Sequence, residues 1–317
     1  MRLMKALVYD KKASPEKLQY REIEKPVPGD DEVLIQVIAA SVNAADYRSI
    51  AFGVKAKGGV YGADVAGRVV STGKNIRQFS PGDEVIGELA NDGFGGFAEY
   101  VAASGAFLTR KPAQLSFAEA AALPLAGITA LQALRDKGHI QPGQQVLIAG
   151  SGGGVGTFAV QLAKHFGAEV TAVCGSHNVA QTAALGADFV IDYTQEDFTQ
   201  SNKRYDLILA VNGNRSLRAY KRLLKPRGTY VMVGGALSQI FRSLILGGLM
   251  SLGSKKMLTL TARSTPEDIA VLASLAAEGH IRAVIERRYP LDQTAEALKY
   301  VTEGHARVKV VIEVVAE

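Results

Sequence analysis

Apolar positions follow two different rhythms along this chain. In the first hundred residues they form short, valine-rich runs at 6–9, 33–38, 65–70 and 97–101, which read as strands. Turn signals separate these runs, at Pro28-Gly29-Asp30, Gly58-Gly59, Thr72-Gly73-Lys74-Asn75 and Pro81-Gly82-Asp83. Short strands without long helices between them predict a mainly antiparallel, barrel-like domain. From Ser116 the rhythm changes. Ser116 and Glu119 make a capping box ahead of an alanine- and leucine-rich stretch, so a helix starts there, and Pro124 is placed to kink or split it. Beyond the turn at Gln141-Pro142-Gly143, strand-like runs at 146–149, 170–173, 189–191, 207–211 and 230–233 alternate with helical segments. Phe158, Ala159, Leu162, Ala163 and Phe166 lie at helical spacing, with Gly167 at the expected end. Such alternation predicts a parallel sheet covered on both faces. Near the end, Thr265-Pro266-Glu267-Asp268 caps a further helix, residues 291–301 form an amphipathic one, and 308–315 read as a closing strand. No internal repeat is visible.

Composition narrows the class. At ~100–200 residues per domain, 317 residues favour two domains. Hydrophobic residues at 47% and charged residues at 21% exclude a disordered or collagen-like chain. Cys174 is the single cysteine, which excludes an intramolecular disulfide and any multi-cysteine zinc site and fits a reducing compartment. A net charge of +5 without a basic tail does not point to a dedicated nucleic-acid binder. The long uncharged run 138–163 contains Pro142-Gly143 and a glycine cluster, so it reads as turn, strand, turn and helix, and no membrane span is expected. Met1-Arg2-Leu3-Met4-Lys5-Ala6 lacks the apolar core of a secretory signal, and a cytoplasmic protein is expected.

The strongest chemical signal is Gly150-Ser151-Gly152-Gly153-Gly154-Val155-Gly156, which follows a strand and opens a helix. Glycines there let the backbone approach a diphosphate, and the free amides of the helix start meet its charge. Ser151 takes the place of the first glycine of the dinucleotide pattern, ahead of Gly153 and Gly156. A site for NAD places an acid about 20 residues beyond the loop, on the ribose hydroxyls. Here that stretch is Val173-Cys174-Gly175-Ser176-His177-Asn178, without a carboxylate, and the next acid, Asp188, follows the intervening helix. Ser176, His177 and Asn178 offer hydrogen-bond donors, so NADP(H) is the expected cofactor. Asn212-Gly213 and Gly234-Gly235 end later strands, where sheet topology places the ligand.

The chain resembles the zinc-independent quinone oxidoreductase-like branch of the medium-chain dehydrogenase/reductase superfamily, nearly end to end. The likeness rests on Ser41-Val42-Asn43-x-x-Asp46-Tyr47-Arg48, Gly62-Ala63-Asp64-Val65-Ala66-Gly67, Pro81-Gly82-Asp83-x-Val85-x-Gly87 and the glycine loop. Gly186-Ala187-Asp188-x-Val190-Ile191-Asp192-Tyr193 and Gly304-His305-Ala306-Arg307-Val308-Lys309-Val310-Val311 add to it. The resemblance implies an α/β protein: a GroES-like barrel of residues 1–117 and 262–317 and a doubly wound Rossmann domain of residues 118–261, with the active site in the cleft between them. It also implies a homodimer. Asn43 and Tyr47 are placed at the substrate end, Tyr47 as a hydrogen-bond or proton donor or else as a wall, Asn43 on the nicotinamide ribose or as a structural turn. Thr129 matches a position near the nicotinamide and Tyr193 one near the adenosine phosphate. Lys309 either reaches the cofactor or sits beside the closing strand.

Departures from the zinc-dependent relatives narrow the chemistry. Those relatives carry a cysteine in the segment matching 43–48 and Gly-His-Glu where this chain has Gly62-Ala63-Asp64. His139, His165, His177, His280 and His305 make no ligand motif, so no metal is expected. Without a Lewis acid to stabilise an alkoxide, the expected substrate is a small hydrophobic electrophile, a quinone or an α,β-unsaturated carbonyl, reduced by NADPH. Enoyl-thioester reduction is an alternative, as is a non-catalytic NADPH-binding protein with a redox-sensing or RNA-binding role. Arg215, Arg218, Lys221, Arg222, Lys225 and Arg227 read as a solvated face, and the apolar stretch 244–252 as a loop or helix over the cleft or a subunit contact.

Overall fold

The computed structural model describes residues 2–9, 18–213, 215–235, 237–251, 253–304 and 306–315. Met1 of the chain start, Leu252 of the apolar stretch and His305 of the terminal motif lie outside the described residues. The chain divides into two compact units, Met1–Ala126 with Ser264–Glu317, and Gly127–Arg263.

The first unit opens with strands β1 (Leu3–Tyr9), β2 (Leu18–Glu24) and β3 (Glu32–Val42) and helix α1 (Ala44–Ala51). Strands β4 (Asp64–Thr72), β5 (Glu84–Glu88), β6 (Tyr100–Ser104) and β7 (Leu108–Arg110) follow, then helix α2 (Phe117–Ala122). Helix α3 (Pro124–Gln132) leads into the second unit, which runs β8 (Gln145–Ala149), α4 (Gly154–His165), β9 (Glu169–Cys174), α5 (Val179–Ala184), β10 (Phe189–Asp192) and β11 (Tyr205–Ala210). It continues through α6 (Leu217–Leu223), β12 (Leu224–Met232), α7 (Leu237–Met250) and β13 (Lys256–Thr259). The chain returns to the first unit through α8 (Pro266–Ala277), β14 (Ile285–Pro290), α9 (Thr294–Thr302) and β15 (Lys309–Glu313).

Strand β3 organises the first unit. Its sequence is almost wholly apolar because both of its edges and most of its side chains are covered. It pairs antiparallel with β4 along one edge, and with β6 and then β15 along the other. The sheet order is β14-β15-β3-β4-β5-β7, antiparallel except for β14 with β15. The run read as a strand at 97–101 begins only at Tyr100. Phe97 and Ala98 turn instead to β1, where the Leu7 amide donates to the Phe97 carbonyl and Ala98 bridges Ala6. Strands β2 and β14 escaped the hydrophobic pattern because their residues are mostly exposed or charged, as edge positions allow.

Helix α2 corrects the expected boundary at residue 117. Ser116 caps it as the sequence predicts, and Pro124 separates it from α3. Its Phe117, Ala118, Ala120, Ala121 and Ala122 are buried against β3, β4 and β15, so this helix packs with the first unit, which extends to Ala126.

In the second unit six parallel strands stand in the order β10-β9-β8-β11-β12-β13. The order reverses between β8 and β11, the switch point at which doubly wound sheets bind ligands. Phe158 and Leu162 of α4 are fully buried, each contributing ~1.5–3 kcal/mol, and Gly167 ends the helix with φ +78°. The apolar stretch lies on helix α7 and leaves Ile245 and Leu249 exposed. No helix among the described residues is long and apolar enough to cross a membrane.

Candidate functional site

The glycine loop occupies the switch point. Strand β8 ends at Ala149, and Gly150 turns the chain at φ +91° while its amide donates to the Val173 carbonyl of β9. A Cβ on Gly150 would stand 2.8 Å from the Asn212 amide nitrogen, so the loop is pressed against the segment that follows β11. Ser151 faces the sheet: its amide and hydroxyl both donate to the Val173 carbonyl at 3.0 Å, and it is fully buried. The expectation that Ser151 meets the cofactor is therefore corrected; it anchors the loop to β9. Gly153, Gly154 and Val155 are the half-exposed part. Helix α4 begins after Gly153 with no side chain capping its first amides. Backbone donors, absence of side chains and a helix start of twelve residues fit a diphosphate.

Two further features border the loop. Asn178, in the single turn Ser176–Asn178 after β9, rests on the loop, where a Cβ on Gly152 would meet its amide nitrogen at 2.4 Å. Its Oδ1 is buried without a hydrogen-bond partner. Beside the loop lies a cavity of about 70 Å³ lined by Ala149, Gly150, Val173, Tyr193, Phe198, Asn212 and Tyr220. Phe198 and Tyr220 carried no signal in the sequence. The Tyr220 hydroxyl is buried, and burial pushes its pKa up to about 12. Asn212-Gly213 follows β11 and Gly234-Gly235 follows β12, both at the same edge of the sheet as the loop, and Thr129 sits half-buried on α3. Cys174 is buried beside the Thr182 hydroxyl, and burial raises its pKa, so it offers no thiolate.

Tertiary structure alters the charge beside Ser176. Strand β9 carries no acid at its end, but the parallel neighbour β10 sets Asp192 opposite Cys174. The Thr194 hydroxyl and amide donate to Asp192 Oδ1 at 2.8 and 2.9 Å, and the Ser176 and Thr194 hydroxyls are 2.8 Å apart. Hydrogen bonds from Ser176 and Thr194, with His177 nearby, hold the Asp192 carboxyl below the usual carboxylate range. The expected absence of an acid near Ser176 is corrected. Tyr193 is half-exposed, its hydroxyl over Gly175.

In the first unit the motif residues converge on a buried network. Pairing of Val42 with Val310 brings β15 alongside the end of β3, so that Lys309 Nζ donates to Asn43 Oδ1 at 2.6 Å and lies 3.6 Å from Asp64 Oδ2. Asn43 Nδ2 donates to Asp64 Oδ2 at 2.9 Å and to the Ser41 carbonyl, and the Ser41 hydroxyl also donates to Asp64. The Asn43 amide is thus fully committed inside the fold, and Lys309 is 3% exposed. The sequence leaves each of them a cofactor contact or a structural role; here they bond to one another within the fold. Asp46 accepts from the Asn43 and Ala63 amides, and burial pushes its pKa up to about 7. Tyr47, next along α1, is half-buried against the core.

Glu88 is the third buried acid of this unit; burial and the Asp64 charge push its pKa up to about 7 while the Ala90 amide donates to it at 2.8 Å. A raised carboxyl pKa keeps the folded state protonated where the unfolded chain is not. Stability from that proton is complete below the unfolded pKa and disappears as pH rises to about 7. Glu88→Gln is therefore expected to gain on the parent protein between about pH 4.5 and pH 7, ending about 1–3 kcal/mol more stable at alkaline pH. Urea unfolding of both proteins across that range checks it. Other acids with lowered pKa, such as Asp83 and Asp188, contribute equally to both and cancel.

A zinc-binding dehydrogenase family model matches residues 185–312, and an alcohol dehydrogenase GroES-like domain model matches residues 29–113. Over 98% of its length, and 99% of the relative's, the chain is 33% identical to a chloroplastic quinone-oxidoreductase of Triphysaria versicolor. The chain belongs to the quinone oxidoreductase-like branch of the medium-chain dehydrogenase/reductase superfamily. This medium-chain oxidoreductase is also 35% identical to 2-methylene-furan-3-one reductase of Solanum lycopersicum, covering 98% of this chain and 79% of that one. The structure of the quinone oxidoreductase from Coxiella burnetii matches with a TM-score of 0.86 and 30% identity, covering 99% of this chain and 100% of that one. The GroES-like and Rossmann-type architecture of the medium-chain oxidoreductases is thus established for it, and its superfamily uses a nicotinamide dinucleotide. Among the described residues, no group of three or more His, Cys, Asp or Glu side chains is arranged to hold a metal ion.

Proposed function

We propose that this chain reduces quinones or α,β-unsaturated carbonyls with NADPH, without a metal. The observation that carries the reading is the open glycine loop at the switch point, ahead of the uncapped start of α4. When bound, the reduced nicotinamide supplies a hydride to an electrophilic carbon of the acceptor. Gly153, Gly154 and Val155 hold the diphosphate through backbone amides. His177 and the lack of an acid at the C-terminal end of β9 favour the 2′-phosphate. Tyr47 donates the proton that the enolate or quinol anion requires. The segment 43–48 lacks the cysteine, and Gly62-Ala63-Asp64 the histidine, that zinc-dependent relatives present there, which supports metal-free chemistry. The names of the Triphysaria and Solanum relatives point to the same two acceptor classes.

The test follows nicotinamide absorbance with a simple quinone, an enone and an enoyl thioester. Turnover is expected with the first two, unchanged by a chelator, and Tyr47→Phe is expected to slow the chemical step about tenfold or more. Faster reduction of the thioester would transfer the assignment to enoyl-thioester reductases. NADPH binding with no turnover of any acceptor would overturn the enzymatic reading, and an undiminished Tyr47→Phe rate would remove Tyr47 from it.

A further inference from the structure

The hydroxyl chain at the ends of β9 and β10 has a direction. Ionised Asp192 only accepts, so the single hydroxyl proton of Thr194 goes to its Oδ1, at 2.8 Å. Ser176 then turns its single proton toward the acid, onto the Thr194 hydroxyl 2.8 Å away or onto Asp192 itself. With its proton turned toward the acid, Ser176 presents only lone pairs to a ligand. A lone pair suits a ribose hydroxyl, which donates, and does not suit a phosphate, which accepts. The negative charge behind Thr194 opposes a 2′-phosphate as well.

We propose that Asp192, acting through Thr194 on Ser176, is a specificity-determining residue that offers a hydrogen-bond acceptor to a free ribose 2′-hydroxyl, so that NADH serves this protein alongside NADPH. The inference rests on the dinucleotide reading of the glycine loop and limits the NADPH preference carried by His177. Neither strand alone contains the device: Ser176 follows β9 and Asp192 ends β10, and only their parallel register brings them together.

Calorimetric titration of the intact protein with NADPH, NADH, 2′,5′-ADP and 5′-AMP tests it without turnover. The parent protein is expected to bind NADPH and NADH within about tenfold of each other. Asp192→Asn keeps an acceptor for Thr194 but removes the charge, and is expected to raise the NADPH-to-NADH affinity ratio about three- to tenfold, with the same shift for 2′,5′-ADP over 5′-AMP. Ser176→Ala is expected to weaken NADH more than NADPH, the opposite of a serine that donates to a phosphate. An unchanged ratio in Asp192→Asn, or a larger loss for NADPH in Ser176→Ala, overturns the proposal while leaving the loop assignment intact. A folded parent protein that binds none of the four ligands overturns the loop assignment itself, and the proposal with it.

Discussion

Gly153→Val is expected to lower dinucleotide affinity at least about a hundredfold, ~3 kcal/mol, while leaving the protein as stable as before. The backbone at Gly153 has φ −84° and ψ 176°, a conformation valine adopts readily. A Cβ there meets nothing nearer than the Gly150 carbonyl oxygen at 3.9 Å, so the fold accommodates the new side chain. Its methyl groups would occupy the space above the first amides of α4, where a diphosphate must come into contact with the backbone. Gly156 provides the contrast. A Cβ on Gly156 would stand 2.1 Å from the Gly150 carbonyl oxygen and 2.7 Å from Ser151, so Gly156→Ala is expected to cost ~1–3 kcal/mol of stability. The two glycines of one motif thus have separable roles, one kept for the ligand and one for helix-to-loop packing. Calorimetry with NADPH and urea unfolding of both variants measure the split. Parent-like affinity in Gly153→Val would remove the diphosphate from this loop.

Lys309→Met carries the largest expected loss of stability, about 3–5 kcal/mol. The ammonium is buried, bonded to Asn43 and 3.6 Å from the fully buried Asp64, with Asp46 close enough to contribute. Burial pushes the Asp64 pKa up and the Lys309 pKa down, each opposed by the charge of the other. Methionine fills the stem volume but leaves Asn43 Oδ1 without a donor and Asp64 without a counter-charge. Because the penalty lies in the orphaned acid, adding Asp64→Asn should recover part of it, a coupling that a simple packing defect would not produce. Urea unfolding of the single and double variants decides. A loss below about 1 kcal/mol in Lys309→Met would mean that the buried carboxylates need no cation.

These two sites also show how far residue order alone reaches. The glycine loop was legible because its ingredients are consecutive: a strand, glycines and a helix start follow one another, and the requirement for bare backbone amides is local. Helix α2 with its Ser116 cap, the break at Pro124 and the Thr265 cap of α8 were legible for the same reason, since caps and breaks act within a few residues. Strand alternation in residues 146–233 predicted the parallel sheet, because buried central strands must be apolar throughout.

What the linear order could not decide is which segments lie side by side. Asp192 is remote from the loop along the chain and reaches Ser176 only through the register of β10 on β9. Lys309 reads as a cofactor contact or as a neighbour of the closing strand, and the pairing of β15 with β3 is what sets its ammonium on Asn43. Ser151 belongs to the loop by position, yet the nearby Val173 carbonyl takes both of its donors. In each case a polar side chain must satisfy its hydrogen bonds with whatever the fold brings near, and that neighbour comes from another strand. Residue order determined the elements and the glycine loop of this oxidoreductase; strand register alone decided which charges surround them.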